Sequence, residues 1–166
     1  FFKKGSVVWN EEIHSIPLTY GKGADLAAVE ENAIVHNNYT SVEQYVDRLN
    51  RYTKYQLKSL TDSGYKFSWK DIIAKPSDEF VGRFFQGQGY KDGAHGLALA
   101  LLQAFSELIL YLKMWQEEEF KSKEVAVEDI SSEIKRSQKE INYWVADTLF
   151  KEKGNFLQRV KRKLKI

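Results

Sequence analysis

The chain has 166 residues, no cysteine and a net charge of +2, with 43% hydrophobic and 14% aromatic residues. This apolar content is too high for a disordered chain, and the length suits one domain with a buried core. The lack of cysteine excludes disulfides, zinc–thiolate sites and cysteine nucleophiles, and it weakly favours a reducing compartment.

Short β-type runs dominate the first 36 residues. Residues 7–9, 13–16 and 31–36 are predicted strands, and Gly21-Lys22-Gly23 is a turn signal. Because strands this short and this few cannot form a sheet with a covered face, we expect them to complete a larger sheet. The first residue is Phe1 rather than methionine, and we therefore also expect the chain to be part of a longer protein.

Helices are predicted from residue 40 onward. Ser41, followed by Glu43-Gln44, is an N-cap signal for a helix that we expect to end near Ser59. The stop signal after it is Thr61-Asp62-Ser63-Gly64. Its predicted apolar face consists of Val42, Tyr45, Val46, Leu49, Tyr52 and Leu57.

Three more helices are predicted in the middle of the chain. Pro76 is expected to separate two short ones, residues 69–74 and 77–85. The third, residues 94–118, is apolar nearly all round and is therefore expected to be buried. The longest apolar run, Leu97 to Leu112, contains Gln103, Ser106 and Glu107, and we expect this run to be too short and too polar to span a membrane.

The last part of the chain is predicted to be another long helix, residues 124–150, ended by Gly154. Alternating three- and four-residue spacing, typical of a coiled-coil seam, relates Val127, Ile130, Ile134, Ser137, Ile141 and Trp144. Residues 151–166 carry seven Lys/Arg and one Glu, a charge of +6, which leaves −4 for residues 1–150. This basic tail could bind anionic lipid or be a solvated end. Nucleic acid is not an expected partner, because the rest of the chain has no basic stripe.

Motifs for most kinds of catalysis are missing from the sequence, which has no phosphate-binding glycine loop, nucleophile elbow or His-Glu-x-x-His helix. The exception is Glu11-Glu12-Ile13-His14, where strand alternation puts Glu12 and His14 on one face. This pair could bind a divalent cation or hold a neutral imidazole by a hydrogen bond. The alternative is an ordinary polar surface strand.

Two further polar segments precede predicted helices. Residues 36–41 join a strand to a helix, a place where ligands are often held, although a polar turn with an N-cap has the same composition. Residues 91–96 precede the long apolar helix. Asp92 could contact a substrate there, or it could cap the helix.

Four segments occur in a characteristic order: Phe2-Lys3-Lys4-Gly5 with Trp9-Asn10-Glu11-Glu12-Ile13-His14, then His36-Asn37-Asn38-Tyr39-Thr40-Ser41, then Arg51-Tyr52-Thr53, then Gly89-Tyr90-Lys91-Asp92-Gly93-Ala94-His95-Gly96. In this order and approximate spacing they resemble the latter part of family 2 glycosyltransferases. The nearest resemblance is to the bacterial enzymes that add sugars to the lipopolysaccharide core or similar surface glycans. It covers residues 1–116, and the seam helix and basic tail have no counterpart in it.

The resemblance implies a GT-A type fold. For this chain it implies an α+β, predominantly α-helical structure, in which residues 1–39 supply the terminal strands of a GT-A catalytic sheet. Residues 40–120 would form a helical acceptor-side region, and residues 121–166 would form a long amphipathic helix with a basic tail. The resemblance also implies Mg²⁺ or Mn²⁺ on the donor diphosphate, with His14 as a metal or diphosphate contact.

The same resemblance implies the other site residues. The substrate contacts would be Trp9, His36, Tyr39, Lys91 and Asp92. The family often has an acidic residue directly after the histidine, and because that position is Ser15 here, Glu11 or Glu12 is expected to act as the catalytic base. The chain has no Asp-x-Asp motif and no strand–helix nucleotide cradle, so the donor site is expected to lie outside it.

The sequence therefore predicts part of an inverting glycosyltransferase at the cytoplasmic membrane face. It would transfer a sugar from a nucleotide-sugar donor to a glycan or lipid-linked acceptor in cell-surface polysaccharide synthesis, and this chain alone would be inactive. One alternative is a non-enzymatic helical module in which residues 124–150 pair with a partner helix or a second copy. Another is peripheral membrane attachment through the basic tail.

Overall fold

The computed structural model describes residues 2–9, 16–35, 39–122 and 124–154. These residues separate into two compact units, Phe1–Tyr55 and Gln56–Ile166. Helices predominate, as the sequence predicted, and the strands and α-helices in chain order are β1 (Val7–Val8), β2 (Leu18–Thr19), α1 (Val42–Asp62), α2 (Asp71–Val81), α3 (Gly93–Glu117) and α4 (Val127–Lys153).

The strands of the first unit form a minimal antiparallel pair. Val7 of β1 lies opposite Thr19 of β2, and Val8 lies opposite Leu18. The Tyr20 N–H extends the pairing by donating to the Ser6 carbonyl at 2.9 Å. The predicted strand 7–9 is thus confirmed at its first two residues.

The predicted strand 31–36 is wrong in its described part. Residues Glu30–Asn32 form a 3₁₀ helix, and residues 33–35 pair with no strand in the described chain. Local hydrogen bonds explain the difference, because the Ala33 N–H donates to the Glu30 carbonyl and the Asn32 amide donates to the Ala27 carbonyl. A turn that satisfies its own polar groups needs no strand partner.

The described residues before 36 bury no side chain. Large apolar groups are instead exposed, among them Phe2, Trp9, Ile16, Leu18, Leu26 and Ile34. The two strands therefore have no covered face within this stretch, as strands of two residues cannot by themselves build one.

The helix α1 begins with two side-chain hydrogen bonds that cap its first turn. The Ser41 hydroxyl accepts from the Gln44 N–H at 3.2 Å, and the Gln44 side-chain oxygen accepts from the Thr40 N–H at 3.2 Å. This confirms the predicted helix start. The helix ends at Asp62, three residues later than expected, and the chain then turns at Gly64 with φ of 79°.

The buried face of α1 is narrower than predicted. Tyr45, Leu49 and Thr53 are buried at four-residue spacing, whereas Val42 and Val46 are 61% and 42% exposed. The Thr53 hydroxyl donates to the Leu49 carbonyl at 2.8 Å. That bond allows a polar side chain to be fully buried on this face, a position that an apolar pattern does not predict.

A single helix, α2, replaces the two short helices predicted on either side of Pro76, which lies inside it. The chain then continues as a π-helix, Gly82–Gln86. An internal proline costs a helix about 3 kcal/mol. Because α2 packs against both α3 and α4, tertiary contacts hold the helix together through this position.

The core of the second unit is centred on α3. Gly96, Ala100, Ala104, Tyr111 and Met114 are buried on one face of this helix. Near its end, Phe67, Leu110, Tyr111 and Met114 form an apolar cluster with Leu57, Leu60, Tyr65, Ile72 and Trp115 packed around it.

The bounds predicted for α3 agree with the structure, but its expected burial on all sides is wrong. Leu97, Leu101 and Phe105 are 40%, 52% and 44% exposed. The stretch Gly89–Glu117 is also long and apolar enough to cross a membrane, contrary to the expectation from sequence. A core helix of a soluble protein meets the same criterion of length and composition.

Gly154 ends α4 as expected, at φ of 63°. The seam predicted on this helix is only partly buried within the chain, because Ser137 is buried and Ile130, Ile141 and Trp144 are half-buried. Val127 and Ile134 are 75% and 50% exposed. The buried residues of α4 are Glu133, Ser137, Ala146 and Asp147, so its packed face is largely polar. The pairs Arg136–Glu133 at 2.6 Å and Lys151–Asp147 at 2.8 Å satisfy the two carboxylates from within the helix.

Candidate functional site

Four of the predicted site residues, Glu11, Glu12, His14 and His36, lie outside the described residues. Their predicted roles as catalytic base, metal contact and substrate contact therefore stay predictions. In the part of the chain that is described, no group of three or more His, Cys, Asp or Glu side chains could hold a metal ion.

Trp9 and Tyr39 belong to the first unit. Trp9 follows β1 directly and is 61% exposed. Tyr39 is half-buried, with its ring centroid 4.9 Å from that of Tyr45 and 5.0 Å from the Arg48 guanidinium carbon. The ring of Tyr39 is thus fixed against α1, whereas the Trp9 ring is open to a ligand or a partner surface.

Lys91 and Asp92 lie in the second unit, on a turn that we call the glycine-rich turn, residues 87–96. Its backbone is unusual along its whole length. It follows the π-helix, it passes through Gln88 at φ of 60°, and Gly89–Asp92 then form a 3₁₀ helix. Gly93 begins α3 at φ of 58° and ψ of −133°, a conformation open essentially to glycine alone.

Close backbone packing explains the other glycines of this turn. A Cβ on Gly96 would lie 1.9 Å from the Gly89 carbonyl oxygen. On Gly87 or Gly89 it would lie 3.0 Å from the Arg83 carbonyl oxygen. The start of α3 is therefore pressed against the turn that leads into it, and only glycine at position 96 permits this approach.

Aromatic residues hold the turn in place. The Phe84 ring stacks on Phe80 at 5.5 Å between centroids and contacts Phe85 and Tyr90 edge-on at 5.1 and 6.4 Å. The Tyr90 hydroxyl donates to Glu152 near the end of α4 at 3.0 Å. Burial, and then this bond to a carboxylate, raise the pKa of Tyr90 above its ordinary value.

The polar residues that the turn presents to solvent are Gln88, Lys91, Asp92 and His95. Asp92 occupies the N-cap position of α3, but its side chain makes no capping hydrogen bond. One of the two interpretations of Asp92, that it caps the helix, is therefore wrong. The first turn of α3 begins instead from the packing of Gly96 on Gly89.

A second polar cluster lies between α2 and α3. The buried Asp71 accepts from the Tyr65 hydroxyl at 3.0 Å and from the Ser68 N–H at 2.8 Å. The Lys75 ammonium lies 6.0 and 5.8 Å from the ring centroids of Tyr65 and Tyr111. Burial raises the pKa of Tyr111, and its contact with Tyr65 adds to this. These bonds anchor the segment before α2 to the core.

An apolar pocket of about 260 Å³ opens beside this cluster. It is lined by Phe67, Trp69, Ile72, Trp115, Val125 and Ile130, among others. The Phe67 and Trp115 rings are stacked at 6.0 Å, and the Trp115 indole N–H donates to the Lys121 carbonyl. With its donor already bonded, Trp115 offers the pocket an apolar ring face.

Comparison of the chain with protein-family models, curated proteins and solved structures finds no match. Function is therefore inferred from the residues and their geometry. The sequence placed Tyr90 and His95 in the same segment as Lys91 and Asp92 but assigned a site role only to the latter two. The glycines at positions 87, 89, 93 and 96 were the signal for the unusual backbone of this turn, because such glycines mark positions of positive φ or close backbone approach.

Proposed function

We propose that this chain is the C-terminal portion of a family 2 glycosyltransferase of GT-A type. The complete enzyme transfers a sugar from a nucleotide-sugar donor to a glycan or lipid-linked acceptor, at the cytoplasmic face of the cell membrane, in surface polysaccharide synthesis. The donor-binding half and most of the ligands of its Mg²⁺ or Mn²⁺ belong to residues outside this chain. The glycine-rich turn is the observation that carries the proposal.

The turn supports the proposal because it is the described segment in which the resemblance and the geometry coincide. Gly93 and Gly96 stand where the backbone tolerates no other residue. The exposed Lys91 and Asp92 follow directly on the anchored Tyr90. An ammonium and a carboxylate on a rigid turn are groups that bind sugar hydroxyls and phosphate oxygens.

Exposed apolar side chains of the first unit give further support. Phe2, Trp9 and Leu18 are 63%, 61% and 54% exposed around the β1–β2 pair. Burial of apolar surface contributes about 25 cal/mol per Å². A larger catalytic sheet that continues this pair would supply the missing cover, and a donor-binding GT-A half has such a sheet.

The proposed chemistry divides among the predicted residues. Glu11 or Glu12 accepts the proton of the acceptor hydroxyl, and His14 contacts the cation or the diphosphate. Trp9, His36, Tyr39, Lys91 and Asp92 are the proposed substrate contacts.

The test uses the complete gene product that includes these 166 residues. We expect transfer of sugar from a nucleotide-sugar donor, and a roughly tenfold or greater loss of kcat/KM in the double variant K91A/D92A. The matched control is K66A/D62A, which removes the same two charges from exposed positions outside the turn. Equal activity of the two variants would show that the glycine-rich turn is not part of the active site. A complete gene product that transfers no sugar would overturn the proposal.

A non-enzymatic helical module is the second candidate, favoured by the exposure of Val127 and Ile134 on α4. It predicts a dimer of the chain that I134D and I141D disrupt. The control is Q138D, on an exposed residue of the same helix. Size-exclusion chromatography with light scattering tests this candidate. A monomeric wild-type chain would contradict pairing of α4 with a second copy.

A further inference from the structure

The first half of α3 carries an exposed apolar strip, Leu97, Leu101 and Phe105, which we call the α3 apolar face. The three residues follow four-residue spacing and therefore share one side of the helix. They are 40%, 52% and 44% exposed, and only 22% of the most apolar 18-residue window of this helical stretch is buried. An exposed apolar strip of this kind marks an interaction surface.

An adjoining side of α3, about 100° round the helix, is already occupied. Gly96, Ala100 and Ala104 are buried there, and α2 packs against the helix. The half-buried Glu107 is close enough to Glu79, Lys75 and Arg83 to interact with them electrostatically. One side of α3 therefore packs against a neighbouring helix and lies near charged groups. Such a helix is suited to lie at the lipid–water interface rather than to span a bilayer.

Cationic groups meet the apolar face at the start of α3. The Tyr90–Glu152 hydrogen bond brings the end of α4 to the glycine-rich turn, so Lys151 and Lys153 lie at the end of the unit where α3 begins. Lys151 is bonded to Asp147, yet 63% of its side chain is exposed. The exposed Lys91 belongs to the same turn.

The sequence beyond α4 adds positive charge to the chain. After Gly154, which ends α4, the chain has five Lys/Arg and no acidic residue: Arg159, Lys161, Arg162, Lys163 and Lys165. The acidic residues 117–119 follow at the opposite end of α3. The described end of the unit where α3 begins thus carries Lys91, Lys151 and Lys153, and a sequence of net positive charge continues the chain after Gly154.

We propose that the α3 apolar face inserts into the headgroup region of an anionic lipid bilayer, with the cationic end of α4 binding the lipid headgroups. Apolar insertion and attraction of Lys and Arg to anionic lipid act together in surface-bound helices. The inserted part is the first turns of α3, from Gly93 to Phe105, which measure about 18 Å along the helix. This inference rests on the proposed function, because it names the surface through which the enzyme would contact the membrane. A chain that does not bind vesicles would contradict the inference even if the complete enzyme transfers sugar.

The experiment is flotation of the full chain with vesicles of phosphatidylcholine, with and without phosphatidylglycerol. We expect about tenfold stronger partitioning to the anionic vesicles, weakened at high salt, and a loss of similar size in L101Q/F105Q. The control V127Q/I134Q makes the same change at exposed apolar positions of α4 and should bind like the wild type. Circular dichroism verifies that each variant keeps its helices.

A second measurement is independent of binding loss. Because the chain has no cysteine, L101C and V127C each give a single site for an environment-sensitive dye. Anionic vesicles should shift the emission of the dye at position 101 to the blue and leave the dye at position 127 unchanged.

Equal shifts at both sites, or equal loss of binding in both glutamine variants, would overturn the proposal. So would binding that resists salt and alkaline washing, which identifies a spanning helix. A dimer that L101Q/F105Q dissociates, without vesicle binding by the wild type, would assign the face to a second copy instead.

Discussion

The two longest helices, α3 with 25 residues and α4 with 27, pack against the same helix α2 but bury different kinds of side chain. Where α3 buries Gly96, Ala100 and Ala104, it exposes leucines and a phenylalanine on another side. By contrast, α4 buries Glu133, Ser137 and Asp147 and exposes Val127 and Ile134. Apolar content thus does not decide which side of a helix faces its neighbour.

Two different physical requirements explain the contrast. Small side chains on α3 permit close approach, to the point where Gly96 lies against the Gly89 carbonyl. On α4, each buried carboxylate is paired by a cation three or four residues further along the same helix, Arg136 or Lys151. The long stems of these cations reach solvent, so each buried carboxylate has a charge partner within its own helix.

The largest effect should come from the close approach on α3. We expect G96A to reduce the free energy of unfolding by about 3 kcal/mol, because the new Cβ collides with backbone that cannot move aside. The control G82A makes the same change where a Cβ would meet nothing within 4 Å, and it should be neutral or stabilising. Urea unfolding measures both, and equal stabilities would show that the start of α3 can shift.

Removal of a buried charge from α4 should have a smaller effect. We expect E133Q to destabilise the chain by about 1–2 kcal/mol, since it weakens the 2.6 Å bond to Arg136. The expected destabilisation is no larger because half of the Arg136 side chain is exposed and stays hydrated. The exposed E128Q is the control, and an unchanged urea midpoint for E133Q would mean that the pair contributes nothing.

The opposite sign is expected one turn further along the same face of α4. The Ser137 hydroxyl is buried and has no hydrogen-bond partner among the described residues. We therefore expect S137A to raise the free energy of unfolding by about 1 kcal/mol, because it removes an unsatisfied polar group. S132A, which removes an exposed hydroxyl bonded to the Glu128 carbonyl, should not be stabilising. A destabilised S137A would indicate that the hydroxyl has a bonding partner.

The smallest effect should come from Glu107 of α3, and it depends on pH. Burial, and then repulsion from Glu79, raise the pKa of Glu107 above its ordinary value of 4.5, while Lys75 and Arg83 lower it by less. A raised carboxyl pKa favours the protonated native state, so this contribution is complete below pH 4.5 and is lost as pH rises through the folded-state value.

We therefore expect E107Q to stabilise the chain by less than about 1 kcal/mol at neutral pH, since solvent screens a half-buried group, and not at all below the ordinary pKa. Urea unfolding across this pH range tests the difference, with the exposed E117Q as control. A gain that is equal at all pH values would contradict the assigned ionisation.

Much of the helical layout could be predicted, because its signals are local. The Ser41 cap, the Gly64 stop, the bounds of α3 and the Gly154 stop all depend on a few neighbouring residues. The glycine-rich turn was also visible as a motif, although not its geometry. Glu11, Glu12, His14 and His36 remain predictions from sequence.

By itself, the sequence determined where helices begin and end, because caps and glycines act through bonds to adjacent backbone groups. Only the tertiary structure decided which helix sides are buried and that α2 continues through Pro76. It also decided that Tyr90 joins the end of α4 to the start of α3. These outcomes depend on contacts between residues far apart in the chain. The free energy of such contacts exceeds the local conformational preferences, and the contacts cannot be recognised from a periodic pattern in the sequence.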